Sequence, residues 1–82
     1  MALLDEVNLE ESKLLVGKKI EELNIKSHKL LCIGLQRSGE EGEFIFNPSA
    51  EIILEEGDTL LVMGRKVSIE HFKNIHKKVK YV

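Results

Sequence analysis

An 82-residue chain with 43% apolar and 32% charged residues and a formal charge of −2 has the make-up of a small globular protein, not a disordered one. That charge offers no basic surface for nucleic acid, and the lone Cys32, set in an apolar run, excludes an internal disulfide and fits a reducing compartment. No apolar stretch approaches the ~20 residues that span a bilayer, and Asp5 and Glu6 interrupt the N-terminus where a signal peptide would need apolar residues.

Residues 1–82 read as one small domain, at a size where a single core leaves much apolar surface uncovered and oligomerisation is an expected source of further burial. In chain order, Leu3 to Leu9 predicts a first strand, followed by a polar link at Glu10, Glu11 and Ser12. Val16, Ile20 and Leu23 recur at i, i+4 and i+7 between charged residues, which predicts one apolar stripe on a short helix. Leu30 to Gln36 has the length and apolar content of a strand, and Ser38, Gly39 and Gly42 supply the turn to a returning strand at Glu43 to Phe46. Asn47-Pro48-Ser49 breaks that strand, because Pro48 has no N–H for a ladder. Ile52 to Leu54 is a short extended piece, Glu56-Gly57-Asp58 a turn, and Thr59 to Met63 a further strand ended by Gly64. Ile69, Phe72, Ile75 or His76, and Val79 mark a closing amphipathic helix with Ser68 as its expected cap. The fold class is therefore α+β, with a small, mainly antiparallel sheet of about four to five strands and two helices in the order β-α-β-β-(β)-β-α.

Strict alternation places Leu31, Ile33 and Leu35 on one face of the sheet, with Leu30 and Cys32 on the other. Leu60 and Val62 likewise oppose Leu61 and Met63, so both faces are apolar and both need a cover. Two short helices fall short of covering both faces, and a second copy of the chain is the expected cover for the remainder; the alternative is that both helices and the N-terminal segment suffice.

No catalytic constellation assembles. His71 and His76 lie five residues apart, about 140° out of step on a helix, and with His28 read as solvated side chains and not as metal ligands. Cys32 has no evident base, and Ser27, Ser38, Ser49 and Ser68 sit in no nucleophile elbow. Glu40, Glu41 and Glu43, and then Glu51, Glu55, Glu56 and Asp58, form two acidic groups without the alternating ligands of a calcium loop; a solvated face is the first reading, and a divalent cation shared between subunits the second. Lys77, Lys78 and Lys80 read as a solvated helix end complementing the helix dipole.

Three ordered blocks carry a family resemblance. The stretch from Leu15 to Ile25 (LVGKKIEELNI) is similar to the opening helix of a TrkA-C domain, the C-terminal unit of regulators of potassium conductance (RCK). Phe46 to Glu51 (FNPSAE) resembles that family's N-P-x-x-[DE] turn, and Glu55 to Gly64 (EEGDTLLVMG) resembles its G-D strand. The blocks span about Leu14 to Ile75 in matching order. The resemblance implies a cytosolic, non-enzymatic regulatory domain that pairs with itself, follows an RCK N-terminal domain, and serves a potassium channel or transport system whose membrane part lies outside this chain. It also implies a small effector, cyclic di-AMP in some members, bound between two copies by the helix end and the following strand. On this chain the corresponding effector-site residues are Asn24, Ile25, Lys26, Ser27, Leu30 and Leu31, with Pro48 from the turn. Asn24 stands where the family's acid is found, Lys26 where its Arg is found, and its Gly has no counterpart. Lys26 thus offers a point charge instead of a planar fork. The alternatives are a purely structural dimerisation module, in which Ile25, Leu30 and Leu31 are dimer core, and a regulatory domain of an antiporter for another substrate.

Overall fold

The computed structural model describes residues 1–39 and 42–78. Glu40 and Glu41 of the first acidic group, Val79 of the helix stripe and Lys80 of the basic run lie outside the described residues.

Four strands, β1 (Leu3–Asn8), β2 (Leu31–Gln36), β3 (Phe44–Phe46) and β4 (Thr59–Gly64), form an antiparallel sheet in the order β1-β4-β2-β3. Among the described residues one α-helix, α1 (Lys66–Ile75), packs on one face. The inner face carries Val7, Leu35, Leu60 and Val62, all fully buried beneath Ile69 and Phe72 of α1 and beside Leu9, Leu15, Leu30 and Leu54. At the edge of this layer the Lys73 ammonium lies 3.1 Å from the Asp5 carboxylate.

The segment expected as one amphipathic helix is instead a string of three 3-10 turns, Lys13–Leu15, Ile20–Leu23 and Ile25–His28. Its backbone is committed elsewhere. Gly17 N–H donates to Leu54 O at 2.8 Å, Leu54 N–H to Lys18 O at 2.8 Å, Ile20 N–H to Ile52 O at 3.0 Å and Glu21 N–H to Ala50 O at 3.1 Å. With these groups bonded to residues 50–54, the i to i−4 ladder of an α-helix cannot run through them. Gly17 (φ 88°) and Asn24 (φ 50°) break the helical path at either end. Ile20 and Leu23 still reach the core, but Val16 is exposed. The extended piece at Ile52–Leu54 is the other half of this zipper, with Ile53 bridging Lys19.

A second departure falls in β2. Cys32 pairs with Val62 and Gly34 with Leu61, leaving Ile33 as an extra residue, a β-bulge. The bulge reverses the alternation, so Leu31 and Leu35 occupy opposite faces: Leu31 is 54% exposed beside Met63 and Leu35 is 0% exposed beside Leu60. On the other edge of β2, the Ile33 carbonyl accepts Asn47 N–H at 2.8 Å, one step beyond the Gly34–Phe46 pair, and anchors the turn after β3. On the outer face, Leu4, Leu31, Phe44 and Phe46 are exposed and Leu61 and Met63 half-buried, and no element among the described residues packs over them.

Helix α1 starts directly after β4, with Arg65 as its N-cap and no side-chain capping bond. Ser68 is the third residue inside the helix and not its cap, because the strand-to-helix turn at Gly64 and Arg65 is shorter than the sequence implies. The turn is tight. A Cβ on Gly64 would sit 2.3 Å from Leu30 Cδ2 and 3.1 Å from Lys29 O. Leu30 is buried and has no room to yield, so Gly64→Ala is expected to cost about 1–3 kcal/mol. An unchanged urea midpoint for this variant would show that Leu30 repacks freely.

Candidate effector site

All seven residues singled out in the sequence line one cleft of about 570 Å³. Asn24 is the left-handed link between two 3-10 turns; Ile25, Lys26 and Ser27 belong to the Ile25–His28 turn; Leu30 and Leu31 enter β2; Pro48 follows β3. The local sequence builds this wall. Asn tolerates the left-handed conformation, and the Asn24 carbonyl accepts Ser27 N–H at 3.0 Å, His28 N–H at 3.3 Å and Ser27 Oγ–H at 2.7 Å. Lys29, also left-handed (φ 61°), ends the turn, and Leu30 N–H closes it on Ile25 O at 3.1 Å.

Ile25 and Leu30 are buried and form an apolar floor, whereas Asn24, Lys26, Ser27 and Leu31 stand exposed at the rim. Lys26 is the one cation among the lining residues and Glu21 the one acid. The chemistry on offer is an apolar shelf for a flat ring, one ammonium for an anionic group, and amide and hydroxyl groups for polar edges.

Ile20, Glu21, Cys32 and Asn47 also line the cleft and were not singled out in the sequence. Asn47, adjoining Pro48 and with φ 49°, was the most findable of them. Ile20 and Glu21 arrive only because the helical segment breaks. Burial pushes the Cys32 thiol up, a weak contact to Gly34 O at 3.8 Å only partly opposing it, which agrees with an unreactive thiol.

Among the described residues, the acidic side chains do not converge on an ion site. Glu51 lies 3.5 Å from the Lys19 ammonium, and Asp58 and Glu55 lie 2.7 Å and 3.2 Å from Arg37 Nη1. Among the described residues, no three metal-ligating side chains are placed to hold an ion, and no helix is long and apolar enough to cross a membrane.

Solved structures of three known proteins share this architecture. One is the RCK C domain of the potassium transport protein KtrA in complex with cyclic diadenosine monophosphate, 25% identical over 90% of this chain and 82% of that one, with a TM-score of 0.78. The GsuK RCK domain is 19% identical over 89% of this chain and 16% of that one, with a TM-score of 0.70, a likeness of fold. The third is BusR of S. agalactiae. Its RCK C-domain dimer with c-di-AMP is 25% identical over 88% of this chain and 96% of that one, at a TM-score of 0.65. Its complex with busA-promoter DNA is 23% identical over 90% of this chain and 38% of that one, at a TM-score of 0.68, and there the likeness is again of fold. No curated protein matches the chain. The fold and the sequence blocks are those of a domain of the RCK C class. The family model of the TrkA-C domain matches residues 4–77, and the chain belongs to that family.

Proposed function

We propose that this chain is a self-pairing, effector-sensing regulatory domain, and that its cleft takes an anionic, ring-bearing ligand of the cyclic dinucleotide class. The observation that carries this reading is the gathering of Asn24, Ile25, Lys26, Ser27, Leu30, Leu31 and Pro48 around one cleft whose rim residue Leu31 also belongs to the uncovered outer face. A second copy covers that face and brings a second cleft wall. A cyclic dinucleotide carries two phosphates and two bases, and a two-fold pair supplies two Lys26 ammoniums and two apolar shelves, one set for each half. The cyclic diadenosine monophosphate bound by KtrA and BusR supports the ligand class. The ligand favours one arrangement of the pair and thereby biases an attached RCK N-terminal domain and a potassium channel or transporter at the cytosolic face of the membrane. Nothing in this role requires a chemical step, and the domain acts by binding.

Cyclic di-AMP added to the purified chain is expected to raise its thermal midpoint. Lys26→Ala removes one charge-assisted contact per phosphate and is expected to weaken binding about 10–100-fold by isothermal titration. Equal affinity in the variant would remove Lys26 from the site. No shift with any cyclic dinucleotide would leave the structural dimerisation module as the surviving reading. A monomer at high micromolar concentration in sedimentation would overturn the shared interface itself.

A further inference from the structure

Among the described residues, no strand pairs with the far side of β1, which stands at the end of the sheet. The register fixes which of its groups face that open edge. Leu9 N–H donates to Asp58 O at 2.9 Å in continuation of the β1–β4 ladder, so the odd-numbered residues of β1 give their backbone groups to β4. Leu4, Glu6 and Asn8 turn theirs outward. A bare edge of this kind is a template for a further strand. Here it is partly filled from within. Asn8 O accepts Glu11 N–H at 3.1 Å and Ser12 N–H at 2.9 Å, which closes the C-terminal end. In the middle, Glu6 N–H donates to Asp5 Oδ1 at 2.7 Å, while Asp5 Oδ2 lies 3.1 Å from the Lys73 ammonium of α1. One carboxylate thus takes an edge donor with one oxygen and is tied to the helix by the other. The Glu6 N–H, and after it Lys73, holds the Asp5 carboxyl below the usual carboxylate range, so it is charged at neutral pH.

We propose that the edge of β1 is a second self-association surface, complementary to another copy of this chain, and that Asp5 keeps it closed. The groups that remain once the Asn8 carbonyl is satisfied, the N–H and C=O of Leu4 and of Glu6, are self-complementary. Two antiparallel β1 strands related by a two-fold axis at Asp5 set Leu4 opposite the partner's Glu6. Each such pair exchanges both N–H···O bonds, and the two four-stranded sheets join edge to edge. Asp5 opposes this twice. Its Oδ1 already holds the Glu6 N–H that the pairing needs. On the axis it also meets the partner's Asp5 in the close, non-hydrogen-bonded position, with Cα atoms about 4.5 Å apart and like charges opposed. Closure matters because the apolar outer face is a separate surface. A chain free to associate through both is joined on two sides, and such contacts run on into tetramers or open strings where one alone stops at a pair. The β1 edge shares no residue with the cleft, so its closure and the effector reading stand or fall separately.

The test is sedimentation equilibrium of the free chain at high micromolar concentration, comparing the wild type with Asp5→Val and Asp5→Ala, neither of which can accept from Glu6 N–H. Valine suits a strand, and alanine adds no apolar bulk. Both variants are expected to reach at least about twice the wild-type mass, whether the wild type is one chain or a pair. Amide exchange by NMR is expected to show Leu4 and Glu6 gaining protection of about tenfold or more as concentration rises, while the Leu54 amide, bonded to Lys18 O, is unchanged. Adding Glu6→Pro to Asp5→Val removes the donor itself, on the side that the β1–β4 ladder does not use, and is expected to return the mass to the wild-type value. A wild-type mass for both single variants, a larger mass without protection at Leu4 and Glu6, or a larger mass that survives Glu6→Pro would each overturn the closure.

Discussion

Arg37→Leu is expected to destabilise the chain by about 3–5 kcal/mol, a large part of the 5–15 kcal/mol that holds a typical domain together. Asp58 is 1% exposed, and its Oδ2 is held by Arg37 Nη1 at 2.7 Å and by Glu55 N–H at 2.8 Å. The same Nη1 donates to Ile53 O at 3.1 Å and to Glu55 Oε1 at 3.2 Å, so one guanidinium joins the end of β2, the extended piece and the Gly57-Asp58 turn. Removing it leaves a carboxylate buried with one backbone donor, and desolvation without a counter-charge dominates the cost. The double variant Arg37→Leu/Asp58→Asn carries no bare charge and is expected to recover part of the loss. Urea unfolding of the single and double variants decides the matter. A single-variant cost below about 1 kcal/mol would mean that the pair behaves as an exposed one.

Phe72→Ala is the second large effect, expected at about 3–5 kcal/mol from lost transfer energy and the cavity left behind. Phe72 is fully buried at the centre of the contact between α1 and the sheet, and it is the ring on which His28 and His76 rest. Val67, on the same helix but 74% exposed, provides the internal control. Val67→Ala is expected to stay within about 0.5 kcal/mol. Similar costs for the two substitutions in thermal or urea melts would show that α1 is not seated on the sheet by Phe72.

The strands were readable because each is a local object. Apolar runs of strand length, ended by Gly57-Asp58, Asn47-Pro48 and Gly39 to Gly42, correspond to β2, β3 and β4 with shifts of one residue. What local pattern could not express is where backbone groups find partners across the fold. Val16, Ile20 and Leu23 keep helical spacing, yet the N–H groups of Gly17, Ile20 and Glu21 and the carbonyl of Lys18 are bonded to residues 50–54, so the segment cannot continue a helix. The bulge at Ile33 was hidden for a related reason, since an apolar residue inside an apolar run carries no mark of being supernumerary. The cleft was partly legible. Six of the seven nominated residues are nearly contiguous, and Pro48 joins them through the Asn47 to Ile33 bond. The convergence of His28 on α1 was invisible, because a tertiary crossing leaves no spacing to count.

The bulge at Ile33 has a further consequence, for how this strand tolerates change. Two leucines four residues apart in one run answer to different requirements. Leu35 is enclosed by Leu60 and its neighbours, so loss of volume there is felt in folding. Leu31 is on the open side and at the cleft rim, where substitution is expected to leave the chain folded and, in the pairing proposed above, to alter association. Were Ile33 taken into a regular ladder instead, the two leucines would fall on one face, and either a solvent-facing position would turn inward or an interior one outward. A strand that looks uniformly greasy thus holds two separately adjustable properties, stability and association, kept apart by one supernumerary isoleucine.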